Sequence, residues 1–127
     1  MKERILLADG DEPVRKMLAR VLESAGYVVL HASTASQAIS QFGSVRPDLV
    51  LMDMKSPEDD GWLACETIIH AAPKLPVIVI TSWANQSEQA LERGVDVLME
   101  KPLDMNLLLK NIQDLLHNSK TPSPVAA

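Results

Sequence analysis

The chain is 127 residues long, with 46% hydrophobic and 23% charged residues and a formal charge of −5. That length suits one domain with a sizeable core, and the acidic balance argues against a nucleic-acid surface, which needs clustered Lys and Arg. A single cysteine, Cys65, excludes an internal disulfide and fits a reducing cytoplasm, while no apolar run approaches the roughly 18 residues of a membrane helix and the opening MKERILLADG lacks the pattern of a signal peptide.

In chain order, ILLA at 5–8 reads as a strand that runs straight into Asp9, Gly10 and Asp11. Val14, Met17, Leu18, Val21, Leu22 and Ala25 then follow helical spacing, with Pro13 in the first turn and Gly26 as a stop. YVVL at 27–30 is a second strand, and Ala35, Ala38, Ile39 and Phe42 give a second helix ending at Gly43. LVLM at 49–52 leads into Asp53, and a third helix runs from about Trp62 to Ala71 with Pro73 beyond it. VIVI at 77–80 leads into Thr81. The segment 84–93, ANQSEQALER, has apolar residues only at Ala84, Ala90 and Leu91, so a helix there is weakly anchored. VDVLM at 95–99 precedes Lys101, and Asp104 is a good N-cap for a last helix carrying Met105, Leu108, Leu109, Ile112 and Leu116. Residues 1–118 thus form the domain, and the polar, proline-containing 119–127 reads as a disordered tail or the start of a linker.

The strand runs are rich in Val, Ile and Leu and mostly continuous, the pattern of strands buried on both faces of a parallel sheet. Five strands alternating with five helices predict an α/β domain of (βα)5 type with right-handed crossovers. In such sheets the site lies beyond the carboxyl ends of the strands. Asp9, Asp53, Thr81 and Lys101 stand there: two acids, a hydroxyl and an ammonium group, a set suited to phosphoryl and divalent-cation chemistry. Each has a plainer reading taken singly. Asp9 and Asp11 can shape a turn and cap a helix, Asp53 can be a turn residue, Thr81 a strand-end cap and Lys101 a surface lysine. His31, His70 and His117 have no ligand spacing and read as surface or helix-end residues. Cys65 and the methionines read as packing, Trp62 as an anchor of the third helix, and Trp83, two residues after Thr81, either as half-exposed packing or as a gating or partner contact.

Four segments in order, ILLADGDEP, LVLMDMKSPEDDG at 49–61, PVIVITS at 76–82 and GVDVLMEKPLD at 94–104, resemble the receiver domain of two-component response regulators. The resemblance spans about residues 3–118. It implies a flavodoxin-like fold with a five-stranded parallel sheet in the order 2-1-3-4-5 and helices on both faces. It implies that Asp53 accepts a phosphoryl group from a histidine kinase or phosphotransfer protein, with Thr81 and Lys101 contacting the phosphoryl oxygens. It further implies Mg²⁺ held by Asp9, Asp53 and the backbone carbonyl of Lys55, with Pro57, Asp60 and Gly61 closing the loop under the site. A cytoplasmic signalling switch rather than a turnover enzyme follows, working on a downstream protein or an attached output domain, with neither nucleic acid nor membrane bound directly. Homodimerisation through the 84–93 helix, the fifth strand and the last helix belongs to the same implication.

Two positions depart from the family pattern. Gly10 replaces the second of two adjacent acids, so weak Mg²⁺ binding is expected, with Asp11 either a solvated cap or a substitute ligand. Leu98 replaces the aromatic switch residue of strand 5. Two other readings stand beside the first. One is a degenerate receiver that binds partners without phosphorylation. The other is a haloacid-dehalogenase-like phosphatase with Asp9 as nucleophile and Asp11 as general acid, which leaves Asp53 unexplained.

Overall fold

The computed structural model describes residues 2–54, 60–82, 90 and 92–118. Its elements are β1 (Arg4–Ala8), α1 (Glu12–Ser24), β2 (Val28–Ala32), α2 (Ala35–Ser44), β3 (Leu49–Met54), α3 (Gly61–Ala71), β4 (Val77–Thr81), β5 (Val97–Glu100) and α4 (Met105–Asn118). The five strands form one parallel sheet in the order β2-β1-β3-β4-β5, which is the expected order. The helix expected over 84–93 falls mostly outside the described residues, as do Lys55, Pro57 and Trp83.

Alternation of side chains along each strand divides the core in two. Leu6, Val50, Met52, Val77 and Val79 point to the face covered by α2 and α3, where they meet Ala38, Cys65 and Ile68. Ile5, Leu7, Leu49, Leu51, Ile78 and Ile80 point to the other face and meet Leu18 and Leu22 of α1 and Leu108 and Ile112 of α4. Burial on both sides is why these strands read as unbroken apolar runs. Met17 corrects the reading of the methionines as packing: it is 49% exposed, because the buried stripe of α1 centres on Leu18, Ala19 and Leu22 and position 17 falls beyond its edge.

The helix starts are set by short polar side chains. Asp11 accepts the Val14 N–H at 3.3 Å, Thr34 accepts that of Gln37 at 3.0 Å, and Asp104 accepts that of Leu107 at 3.1 Å. At the opposite pole, the Asp48 and Asp96 carboxylates accept the N–H groups of Arg4 and Val77, where β1 and β4 begin. The chain returns to that pole through α4, whose His117 lies 3.8 Å from Glu3, just before β1.

Candidate functional site

The register of the parallel sheet places the polar residues together. Ala8 pairs with Met52, so Asp9 and Asp53 come next on adjacent strands. Asp53 pairs with Ile80 and Met54 with Thr81, and the Lys101 N–H donates to the Thr81 carbonyl at 2.8 Å. Four strand ends thus bring Asp9, Asp53, Thr81 and Lys101 to one edge. The structure extends β3 and β4 past the expected ends, so Asp53 and Thr81 are the last or next-to-last residues of their strands rather than loop residues. Asp9, Asp53 and Thr81 are the buried polar residues of the described chain.

Asp53 is the electrostatic centre. Its side chain is fully buried, and Lys101 Nζ lies 2.8 Å from its Oδ2 while remaining 27% exposed. Desolvation pushes the Asp53 pKa up to about 6; the Lys101 hydrogen bond opposes this, and the neighbouring Asp9 carboxyl adds to it. Two acids are therefore held together at the edge of a low-dielectric core, and the Lys101 ammonium group offsets part of their charge.

Asp9 is tied down through three groups. Its N–H donates to the Ala32 carbonyl at 3.0 Å, its Oδ1 accepts the Asp11 N–H at 2.9 Å, and its carbonyl accepts Arg15 Nη1 at 2.8 Å. A cavity of about 110 Å³ opens beside it, bounded by Asp9, Gly10, Ser33, Thr34, Asp53 and Gly61. The Gly10 backbone is not left-handed, and a Cβ there would stand 3.4 Å from the Ser33 carbonyl oxygen, an ordinary contact. Neither conformation nor crowding requires glycine at that position. Asp11 does not fill the gap, being exposed and engaged in capping α1.

A divalent cation at this edge would draw its ligands from Asp9 and Asp53. Among the described residues no group of three or more His, Cys, Asp or Glu side chains could hold a metal. Mg²⁺ does not need one: it keeps several waters and takes one or two carboxylates plus phosphate oxygens. Two buried carboxylates beside a cavity that Ser33 and Thr34 also border fit that requirement. The third expected ligand, the Lys55 carbonyl, lies outside the described residues.

Some participants left no trace in the sequence pattern. Arg15 reaches Asp9 from α1 and also donates through Nε to His31 Nδ1 at 3.2 Å on β2. His31 is exposed, as expected, but it is a partner of this arginine. Ser33 and Thr34 form a cavity wall, with Gln37 Oε1 accepting from both the N–H and the hydroxyl of Ser33 at 2.8 Å. Leu98 packs against the α2–α3 side of the core.

A doubly wound sheet in this order, with acids, a hydroxyl and a lysine at its carboxyl edge, is a flavodoxin-like domain of the type that includes signalling receivers. The chain belongs to the response regulator receiver domain family, whose pattern matches residues 5–113. Response regulator MprA of Mycobacterium ulcerans (strain Agy99) is 33% identical over 129 residues, covering all of this chain and 56% of the relative. Response regulator MprA of Mycobacterium tuberculosis (strain ATCC 25618 / H37Rv) is 34% identical over 122 residues, covering 94% of this chain and 53% of the relative. The chain spans about half the length of these curated relatives. Among solved structures, a CheY-like response regulator receiver domain protein from Methanospirillum hungatei JF-1 superposes with a TM-score of 0.88 at 27% identity, covering 97% of this chain and all of that one. The receiver domain of NtrX from Brucella abortus gives 0.80 at 27% identity, covering 88% and 97%.

Proposed function

We propose that this domain, residues 1–118, is a phosphorylation switch in which Asp53 accepts a phosphoryl group from the phosphohistidine of a kinase or phosphotransfer protein. The observation that carries this reading is the buried Asp53 carboxylate held 2.8 Å from Lys101 at the edge it shares with Asp9 and Thr81. In the reaction an Asp53 carboxylate oxygen bonds to phosphorus as the phosphorus–nitrogen bond breaks. The imidazole leaves with the electron pair, and an acyl phosphate remains on Asp53. Lys101 offsets the charge on the phosphoryl oxygens, and the Thr81 hydroxyl donates to one of them. Asp9, Asp53 and the Lys55 carbonyl would hold Mg²⁺, which supplies charge neutralisation for phosphoryl transfer when bound. The phosphorylated state would be read through the 84–93 segment, β5 and α4, by a downstream protein, a second copy of this domain or a module that 119–127 would join to it.

Incubation with acetyl phosphate and Mg²⁺, followed by intact mass and site mapping, tests this. Addition of one phosphoryl group at Asp53, lost in Asp53→Asn, is the expected result; equal labelling of that variant overturns the assignment. A degenerate receiver, favoured by Gly10, would take no label under any Mg²⁺ concentration. The phosphatase reading would label Asp9, but it needs a second acid facing the site, and Asp11 is engaged at the start of α1.

A further inference from the structure

We infer that Arg15 is a positioning residue that holds Asp9 in its cation-binding orientation. This rests on the metal-dependent reading above. Asp9 is the acid at the end of β1 whose side chain is buried at the site, since Gly10 has no side chain and Asp11 is exposed. The turn that presents it contains a glycine, whose backbone has more freedom to lose than any other residue's. Hydrogen bonds at two atoms of Asp9 restrain that turn: Asp11 N–H to Asp9 Oδ1 at 2.9 Å, and Arg15 Nη1 to the Asp9 carbonyl at 2.8 Å. The second comes from a planar guanidinium whose Nε is fixed by His31 Nδ1 at 3.2 Å. Arg15 thus bridges α1, the β1–α1 turn and β2, and one fork aims two donors at two elements. The Arg15 backbone N–H is itself bonded to the Asp11 carbonyl at 2.8 Å, so the base of the side chain is anchored in the first turn of α1.

Positioning and charge make opposite predictions, which makes the inference testable. A guanidinium near a cation site repels the cation, so if charge were its whole effect, its removal would tighten binding. If it orients a ligand, removal weakens binding, by about 10-fold or more for an outer-shell partner. The experiment titrates Mn²⁺ into the unphosphorylated full chain, with free ion read by electron paramagnetic resonance, for wild type, Arg15→Ala, Arg15→Lys and His31→Ala. Amide exchange of Asp11 is followed in the metal-free proteins. Arg15→Ala should weaken Mn²⁺ by about 10-fold and speed exchange at Asp11 while Leu18 and Leu22 keep wild-type protection. Arg15→Lys should behave like Arg15→Ala although it keeps the charge, and His31→Ala should fall between. Tighter binding in Arg15→Ala, or wild-type binding in Arg15→Lys, overturns the inference. So does unchanged binding in an Arg15→Ala protein that is folded by thermal melting. If Arg15→Ala does not fold, the Arg15→Lys and His31→Ala results decide by the same criteria. A wild type that binds no Mn²⁺ fails earlier, because it removes the metal-dependent reading itself and this inference with it.

Discussion

At Asp53 burial and the proposed phosphoryl transfer pull in opposite directions. Its pKa is raised from 3.8 to about 6 by burial and by Asp9, so the folded protein binds more protons than the unfolded chain between those values. Stability therefore falls as pH rises through that window, and above about pH 6 the penalty is complete, on the order of 3 kcal/mol for such a shift. Asp53→Asn removes the titration. It should be more stable than wild type at pH 8 by about 1–3 kcal/mol, with the two converging below pH 4. Millimolar Mg²⁺ should narrow the gap at pH 8 by binding the wild-type pair. Urea melts at the two pH values check the sign, and an Asn variant less stable at pH 8 would mean that the Lys101 pairing outweighs desolvation. Gly10 gives a second prediction. Position 10 has room for a side chain and borders the cavity. Gly10→Asp should tighten Mg²⁺ by roughly 10- to 100-fold, equal to about 1–3 kcal/mol. Asp11→Ala should leave the metal nearly unaffected and cost about 1 kcal/mol through loss of the α1 cap. Calorimetric titration of Mg²⁺ with both variants checks the pair.

Among the elements, the buried strands were legible because both faces are apolar, and the gathering of the candidate site residues at one sheet edge because each follows such a run. The misplaced ends have local causes. β2 begins and ends later than YVVL suggests, since it is an edge strand whose pairing with β1 carries it through the polar His31 to Ala32. α2 passes its expected stop at Gly43 and ends at Ser44; the chain turns instead at Arg46, with φ of 27°, just before Pro47. β5 starts at Val97 because the Val95 N–H is spent on the Ala90 carbonyl and Asp96 bonds to Val77 at the start of β4. What spacing could not reveal were contacts between distant elements, such as Arg15 with His31. Another is the clamp at Arg93, which pairs with Glu66 at 2.6 Å and lies 5.4 Å from the centre of the Trp62 ring, both on α3. It pins the segment just ahead of β5 to the helix that follows Asp60. Arg93→Ala should lose about 1 kcal/mol and speed amide exchange at Val95, while acetyl phosphate labelling of Asp53 stays at the wild-type rate. Slower exchange, or none of these changes, would show that the clamp does not hold this segment.

For the molecule as a whole, parallel strands and antiparallel helices give two poles with different work. All the candidate chemistry stands at the carboxyl pole, while Asp48, Asp96, Glu3 and His117 gather at the other. α4 covers the distance between the poles in 14 residues, about 20 Å at 1.5 Å per residue. The contact of His117 with Glu3 means that the chain enters and leaves the folded unit side by side. A domain with neighbouring ends can be spliced between other sequences, or re-cut, without its interior registering the change. A circular permutant that joins position 118 to position 2 through a few Gly and Ser residues, and opens at the exposed Pro73–Lys74 turn, should fold and take label at Asp53 as the natural chain does. Loss of folding would show that the connectivity at this pole, and not only the packing, holds the two core layers together. If it folds, the unit is portable: a cassette whose packing, not the order in which the chain supplies its elements, specifies the fold.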